Sequence, residues 1–158
     1  MEKSLLWIED HPGDITQALA AIRAAGVRVV LTPDPIAPLR ALRLVDAESA
    51  IWERHATEGT RLEAGRIAAE LEGTDFVGVI LDNNLSGNRI SNLFPSFRDT
   101  AGDRIAGEYL SPAGVPFVRH TTCYPTDPTD RVGLGYVNKG EEDAGIKLLA
   151  LFLPRWRR

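Results

Sequence analysis

Several features are scarce in this sequence of 158 residues. It has one cysteine, Cys123, which cannot form a disulfide within the chain, so a reducing cytoplasm is the expected location. No apolar run approaches the roughly 18 residues that a membrane span needs. Met1-Glu2-Lys3 leads into a short apolar run at 5–8 and not into a signal peptide. We therefore expect neither a membrane protein nor a secreted one.

An excess of positive charge is also lacking. The chain has 18 basic and 22 acidic residues, which gives a net charge of −4. A protein this acidic binds polyanions poorly, so we expect no nucleic-acid partner. The hydrophobic share of 44% and the charged share of 25% are typical of a globular protein. The length suits one domain over residues 1–158.

Short apolar runs alternate with segments of helical periodicity. Most of these runs are almost continuously apolar, which is typical of strands buried on both faces of a parallel sheet. The strand–helix–strand order predicts an open, doubly wound α/β fold whose functional site lies at the carboxyl ends of the strands. The predicted strands are 5–8, 27–31, 76–81, 115–118 and 134–137.

The segments between the runs differ in length. Helical spacing predicts a first helix over 14–25, which Gly26 ends, and a last helix over 141–153. The long connection 33–73 reads as extra helices, and 86–102 reads as a loop. Within the long connection, helices are predicted over 38–45, 47–57 and 61–72, with a break at 58–60.

Polar residues follow the predicted strands. Glu9-Asp10 follows the first, Asp82 the third and Thr121 the fourth, while Lys139 comes just after the fifth. In a parallel sheet these side chains meet at one edge, where three carboxylates would repel one another. A Mg²⁺ ion relieves such repulsion and binds phosphate oxygens as well. The residues therefore suggest Mg²⁺-assisted phosphoryl transfer with Asp82 as the nucleophile.

The chain resembles the receiver domains of bacterial response regulators. The resemblance implies a five-stranded sheet of the flavodoxin-like type, with strand order 2-1-3-4-5 and no turnover activity as an enzyme. It also implies a histidine kinase or another phospho-histidine protein as donor, and a downstream protein target. The motifs that carry it are LLWIEDHP at 5–12, VILDNNLSG at 79–87, PFVRHTT at 116–122 and GYVNKG at 135–140.

Roles for single residues follow from the same resemblance. Asp82 becomes the phospho-acceptor, and Thr121 and Lys139 contact the phosphoryl oxygens. Tyr136 falls at the position of the family's switch aromatic. The implied Mg²⁺ ligands are Asp10, Asp82 and the backbone carbonyl of Asn84, with Glu9 acting through water.

The sequence also departs from the family's pattern. Gly140 stands where the family has a proline in cis linkage, and Thr122 is bulkier than the usual small residue. Prolines within 122–133 suggest that the fourth helix is shortened or absent. Arg119, in mid-strand on the side of Thr121, suggests that no helix seals this face. The two long segments, 33–73 and 86–102, are insertions relative to the family.

Three functions are compatible with these residues. The first is a stand-alone receiver domain phosphorylated on Asp82. The second, favoured by Gly140 and Thr122, is a pseudo-receiver that acts as a constitutive interaction module without phosphorylation. The third is a small Mg²⁺-dependent phosphohydrolase, which Asn84 disfavours because it stands where a second acid would be needed. We expect His120 to be a strand residue with a local partner and not a metal ligand.

Overall fold

The computed structural model describes residues 1–44, 57–82, 85, 101–122 and 133–156, with the backbone alone for 101, 155 and 156. Three predicted segments lie wholly or partly outside these residues. They are most of the helix over 47–57, the part of the loop that precedes residue 101, and the form of the fourth helix, which concerns 122–133. In the described part of the chain, no helix is both long enough and apolar enough to cross a bilayer.

Five parallel strands form a single sheet in the order β2-β1-β3-β4-β5, as predicted. Strand β1 pairs with β2 on one side and with the central strand β3 on the other, and β4 and β5 continue the sheet. Buried residues on both faces explain why the apolar runs are nearly continuous. The strands are β1 (Lys3–Ile8), β2 (Arg28–Thr32), β3 (Asp75–Leu81), β4 (Phe117–Thr121) and β5 (Tyr136–Asn138).

Helices cover both faces of the sheet, so that there are two cores. Leu6 and Ile8 of β1 face one core, and Leu5 and Trp7 face the other, because successive side chains of a strand alternate. On the first face lie α2 (Ala37–Ala41), α3 (Glu58–Leu71) and α4 (Ala101–Ile105), which continues as a π-helical turn (Ala106–Leu110); on the second lie α1 (Thr16–Ala24) and α5 (Ala144–Trp156).

The first helix ends where the sequence predicted, since Gly26 adopts a left-handed φ of 85° directly after α1. The extra helices between β2 and β3 are present as α2 and α3, but α2 ends at Ala41, short of the predicted 38–45, because the chain turns at Arg43. The predicted break at 58–60 is wrong. Thr57 is extended and caps α3, and its side chain and that of Thr60 accept each other's backbone N–H groups.

The prediction of an unsealed face around Arg119 is also wrong. Its side chain is completely buried, and its guanidinium Nη1 donates a hydrogen bond of 2.6 Å to Oδ1 of Asp103. Asp103 belongs to α4, and the sequence predicts the first two residues of this helix, 101 and 102, as the end of a loop. The arginine is therefore buried because the helix before β4 supplies a buried carboxylate for it.

Candidate functional site

The carboxyl ends of four strands meet at one edge of the sheet, as predicted. The backbone N–H of Asp82 donates to the carbonyl of Ile8 over 3.3 Å, which places the end of β3 beside the end of β1. The N–H of Lys139 donates to the carbonyl of Thr121 over 3.3 Å, which joins β5 to β4. Backbone pairing alone therefore brings residues 9, 82, 121 and 139 to a common edge.

Lys139 links the acids from β1 and β3. Its Nζ lies 2.8 Å from Oδ2 of Asp82 and 2.8 Å from Oε2 of Glu9. The side chain of Glu9 is fully buried, that of Asp82 is 4% exposed and that of Lys139 is 9% exposed. Ionic hydrogen bonds in such a buried place are stronger than at the surface, so they fix the ammonium between the two acids.

Burial shifts the proton equilibria of this cluster. Burial raises the pKa of Glu9 to about 7, the charge of Asp82 adds to the rise, and the ammonium of Lys139 opposes it. Burial would lower the pKa of Lys139, but its hydrogen bonds to Asp82 and Glu9 outweigh that effect and leave its pKa above the ordinary value. Lys139 is therefore a fixed positive charge at neutral pH.

Asp10 lies beside this cluster. Its side chain is 3% exposed, and its Oδ1 is 2.9 Å from Nδ1 of His11. The backbone N–H of His11 donates to Oε1 of Glu9 over 3.0 Å, so the turn after β1 holds both acids in place. Oxygen atoms of Glu9 and Asp10 and a ring nitrogen of His11 lie within 4.8 Å of one another. Asn84, predicted as a further ligand, lies outside the described residues.

Thr121 is buried at the end of β4, and Tyr136 is half-buried on the neighbouring strand. The hydroxyl of Tyr136 donates to the backbone carbonyl of Thr121 over 3.1 Å. The side-chain amide of Asn138 donates to that hydroxyl over 3.0 Å. The predicted switch aromatic is thus connected directly to the backbone of the residue predicted to contact the phosphoryl group.

Asn138 is a site residue that the sequence reading missed. Besides its bond to Tyr136, its Oδ1 accepts the backbone N–H of Gly140 over 2.8 Å. Its own backbone N–H donates to Oε2 of Glu141 over 3.0 Å. These bonds hold the turn around Lys139. The pattern Asn-Lys-Gly after a strand was the available signal, because asparagine commonly stabilises such turns.

His120 lies on the opposite face of β4 from Thr121. Its ring meets that of Trp7 edge-on, with 5.4 Å between the centroids, which is the local partner that was expected. Neither ring nitrogen has a hydrogen-bond partner among the described residues. Burial, with a smaller effect of the Lys139 charge, lowers the pKa of His120 to about 4. The imidazole is therefore neutral at physiological pH.

A cavity of about 520 Å³ opens next to the acidic edge, between the beginnings of α1 and α5. His120 and Lys139 form part of its wall, and Asp14 and Glu142 line it from the segments that precede α1 and α5. The cavity therefore reaches the cluster through Lys139, the one member of the cluster among its lining residues.

Of three comparisons with known proteins, only the one with solved structures found similar proteins. No family model matches the sequence, and no curated protein matches it. Among solved structures, the chain is similar to the phosphorylated cyanobacterial phytochrome response regulator RcpA, with 16% identity, coverage of 98% of this chain and 92% of that one, and a TM-score of 0.56.

Two further structures have similar scores. The signal receiver domain of a modulated diguanylate cyclase from Desulfovibrio desulfuricans G20 shares 13% identity over 98% of this chain and 95% of that one, with a TM-score of 0.51. A fusion that carries a trimeric coiled-coil segment of yeast Spc42 shares 14% identity over 99% of this chain and 82% of that one, with a TM-score of 0.56. The chain therefore has the receiver-domain fold.

Proposed function

We propose that this protein is a receiver domain that accepts a phosphoryl group on Asp82 from a phospho-histidine donor and thereby changes a contact with a downstream protein. The observation that carries the proposal is the position of Lys139, whose ammonium is bonded to both Asp82 and Glu9 at the edge of the sheet. A buried carboxylate beside a fixed cation, next to a cavity, suits a nucleophile that must receive a dianionic group.

In the proposed transfer, a carboxylate oxygen of Asp82 attacks the phosphorus of the donor. The new O–P bond forms as the P–N bond of the phospho-histidine breaks, and the departing imidazole keeps the electron pair. The Lys139 ammonium lies 2.8 Å from the attacking carboxylate and can pair with an oxygen of the incoming group. The Thr121 hydroxyl is proposed to bind another of these oxygens.

The residues also suit a magnesium ion. Glu9, Asp10 and Asp82 supply buried carboxylates on neighbouring strand ends, and oxygen donors of this kind are the ligands that Mg²⁺ favours. Bound Mg²⁺ supplies positive charge that offsets the charge of the phosphoryl oxygens. In our proposal Asp10 and Asp82 are direct ligands, with the Asn84 carbonyl as a third, and Glu9 acts through water.

A change at the acceptor can be passed on through existing contacts. Tyr136 is bonded to the carbonyl of Thr121, and Asn138 is bonded to Tyr136. If the Thr121 hydroxyl binds the phosphoryl group, the carbonyl of the same residue moves, and the position of the Tyr136 ring changes with it. We therefore propose Tyr136 as the switch residue that alters the surface offered to the downstream protein.

The test is incubation with phosphoramidate and MgCl₂ followed by intact-mass measurement. The proposal expects a gain of one phosphoryl group in the wild type that requires Mg²⁺, and no gain in Asp82→Asn. Asp75→Asn is the matched control, because Asp75 lies at the other end of β3. No gain in the wild type at any Mg²⁺ concentration would refute the proposal and favour the constitutive interaction module.

A further inference from the structure

The segment between β2 and β3 contains a basic groove that takes no part in the proposed phosphoryl transfer. The groove has a volume of about 400 Å³ and lies between α2 and α3. No residue of the Glu9–Asp82–Lys139 cluster lines it. Its walls carry three arginines and its other lining residues are small: Arg40, Arg43 and Arg61, with Ala41, Ala64, Gly65 and Ala68.

Two of these arginines have charges that no described residue neutralises. Arg43 and Arg61 are exposed, and neither guanidinium has a hydrogen bond or an ion pair within the described ranges. Other arginines of this region are paired, since Arg66 binds Glu63 and Glu70 and Arg28 binds Glu2. The groove is therefore a local concentration of free positive charge on a protein whose net charge is −4.

The backbone at Arg43 is strained. This residue has a φ of 58°, in the left-handed region, just after the end of α2. Glycine or asparagine usually occupies such a position, and an arginine there costs on the order of 1 kcal/mol. The turn is closed by the N–H of Leu44, which donates to the carbonyl of Leu39 over 2.8 Å. Local stability therefore does not explain why an arginine stands at this position.

An exposed leucine adjoins the groove. Leu62 is 69% exposed, one of the most exposed large apolar side chains in the described residues. It precedes Gly65 by three positions on α3, so the two residues are neighbours on the helix surface. An inorganic anion or the backbone of a nucleic acid would make no apolar contact with Leu62. A peptide that contains both acids and an apolar residue would make such a contact.

We propose that this groove binds an acidic segment of a partner protein. Carboxylates of the segment pair with Arg43 and Arg61, because guanidinium groups bind carboxylates in a bidentate manner. An apolar side chain of the segment packs on Leu62. The charge complementarity and the exposed leucine select this occupant, and binding does not depend on phosphorylation of Asp82.

Fluorescence anisotropy with a fluorescein-labelled peptide of repeating Glu-Asp-Leu triplets tests the proposal. We expect saturable binding that weakens as NaCl is raised. The Arg43→Gly variant should bind at least about tenfold more weakly, a loss of about 1.4 kcal/mol, while its melting temperature does not fall, because glycine suits the backbone there.

Two more variants complete the design. Gly65→Glu should weaken binding to a similar extent, since its Cβ would enter open space and its carboxylate would lie in the groove. Arg23→Glu, on α1, makes a charge change away from the groove and should leave binding within about twofold of the wild type. Asp82→Asn should bind the peptide like the wild type, so this test can fail or succeed independently of phosphorylation.

Several results would overturn the proposal. It is wrong if the wild type does not bind the peptide at low salt, or if Arg43→Gly and Gly65→Glu bind it as well as Arg23→Glu does. Equal binding of a peptide with serine in place of leucine, or displacement by an equal concentration of inorganic phosphate, would show a general anion site instead. Displacement of the peptide by an equal concentration of single-stranded DNA would indicate a nucleic-acid site.

Discussion

The Nζ of Lys139 lies 2.8 Å from Oδ2 of Asp82, although 57 positions of sequence separate the two residues. The same nitrogen contacts both carboxylate oxygens of Glu9. One lysine thus compensates two buried acids from the first and third strands. This relationship makes the lysine important for stability as well as for the proposed transfer.

Replacement of Lys139 by methionine should destabilise the protein when no divalent ion is present. The variant leaves Glu9 and Asp82 buried without a cation, and breaking a buried pair in this way costs about 3 kcal/mol. Urea unfolding in EDTA measures the loss. Addition of MgCl₂ should then stabilise Lys139→Met more than it stabilises the wild type, because the ion supplies the missing positive charge.

Lys147→Met is the control for this prediction. Lys147 is half-exposed, and its nearest carboxylate, Glu141, is 4.0 Å away. Exposed pairs of this kind contribute about 0–1 kcal/mol, so this variant should unfold close to the wild type. Equal stability of the two variants in EDTA would show that Lys139 does not compensate the buried acids.

Loss of the Asp103 carboxylate should destabilise the packing of α4 on the sheet. In Asp103→Ala, the buried guanidinium of Arg119 loses the partner that lies 2.6 Å away. Removing one member of a buried pair costs about 3–5 kcal/mol. Urea unfolding measures the change, and Glu108→Ala, which removes an exposed partner of Arg104, is the control. A loss below about 1 kcal/mol would mean that Asp103 does not hold Arg119.

The pH dependence of stability should reveal His120. Its pKa of about 4 in the folded state is below the ordinary 6.5, so the unfolded chain binds a proton that the folded protein does not. This effect is absent above pH 6.5 and destabilises the folded state as the pH falls from 6.5 toward 4. The raised pKa of Glu9 has the opposite effect, because it stabilises the folded state as the pH falls. The wild type must therefore be compared with a variant that lacks His120 but keeps Glu9.

His120→Met serves that purpose, because it removes only the imidazole. The unfolding free energy of the wild type minus that of His120→Met should decrease by about 2–3 kcal/mol between pH 7.5 and pH 4.5. Urea unfolding at several pH values provides the measurement. If the difference is independent of pH, the imidazole is not held neutral in the folded state.

Two glycine substitutions probe the packing of the helices. An added Cβ at Gly145 would lie 2.6 Å from the carbonyl oxygen of Ala18 and 2.8 Å from Cβ of Ala21, so α1 and α5 would have to separate. We expect Gly145→Ala to cost about 1–3 kcal/mol. Gly65→Ala, within α3, meets no atom and should stabilise by about 0.5–1 kcal/mol. Thermal unfolding of both variants tests this; equal effects would contradict it.

The sheet and the position of its polar edge could be predicted because both follow from local patterns. Buried strands read as continuous apolar runs, and parallel pairing then brings Asp82 and Lys139 to the same edge whatever lies between them. Asn138 escaped notice because its role depends on hydrogen bonds to Tyr136 and Gly140 within one turn. No periodicity in the sequence signals such bonds.

The errors arose where a charge has a tertiary partner and where a helix cap was interpreted as a break. Arg119 reads as an exposed residue until Asp103, 16 positions earlier, is placed against it. The glycine and threonine at the start of α3 read as a break, but Thr57 and Thr60 cap each other and begin the helix there. Threonine favours the N-cap position, so Thr57 marks the beginning of α3 and not an interruption before it.

Mass spectrometry of the phosphorylated protein tests the central claim most directly. The protein is incubated with phosphoramidate and MgCl₂, quenched in acid and digested, and the phosphoryl group is located by peptide fragmentation. We predict a single Mg²⁺-dependent phosphorylation on Asp82 that is absent from Asp82→Asn. Phosphorylation at another residue, or equal incorporation into wild type and Asp82→Asn, would contradict the account.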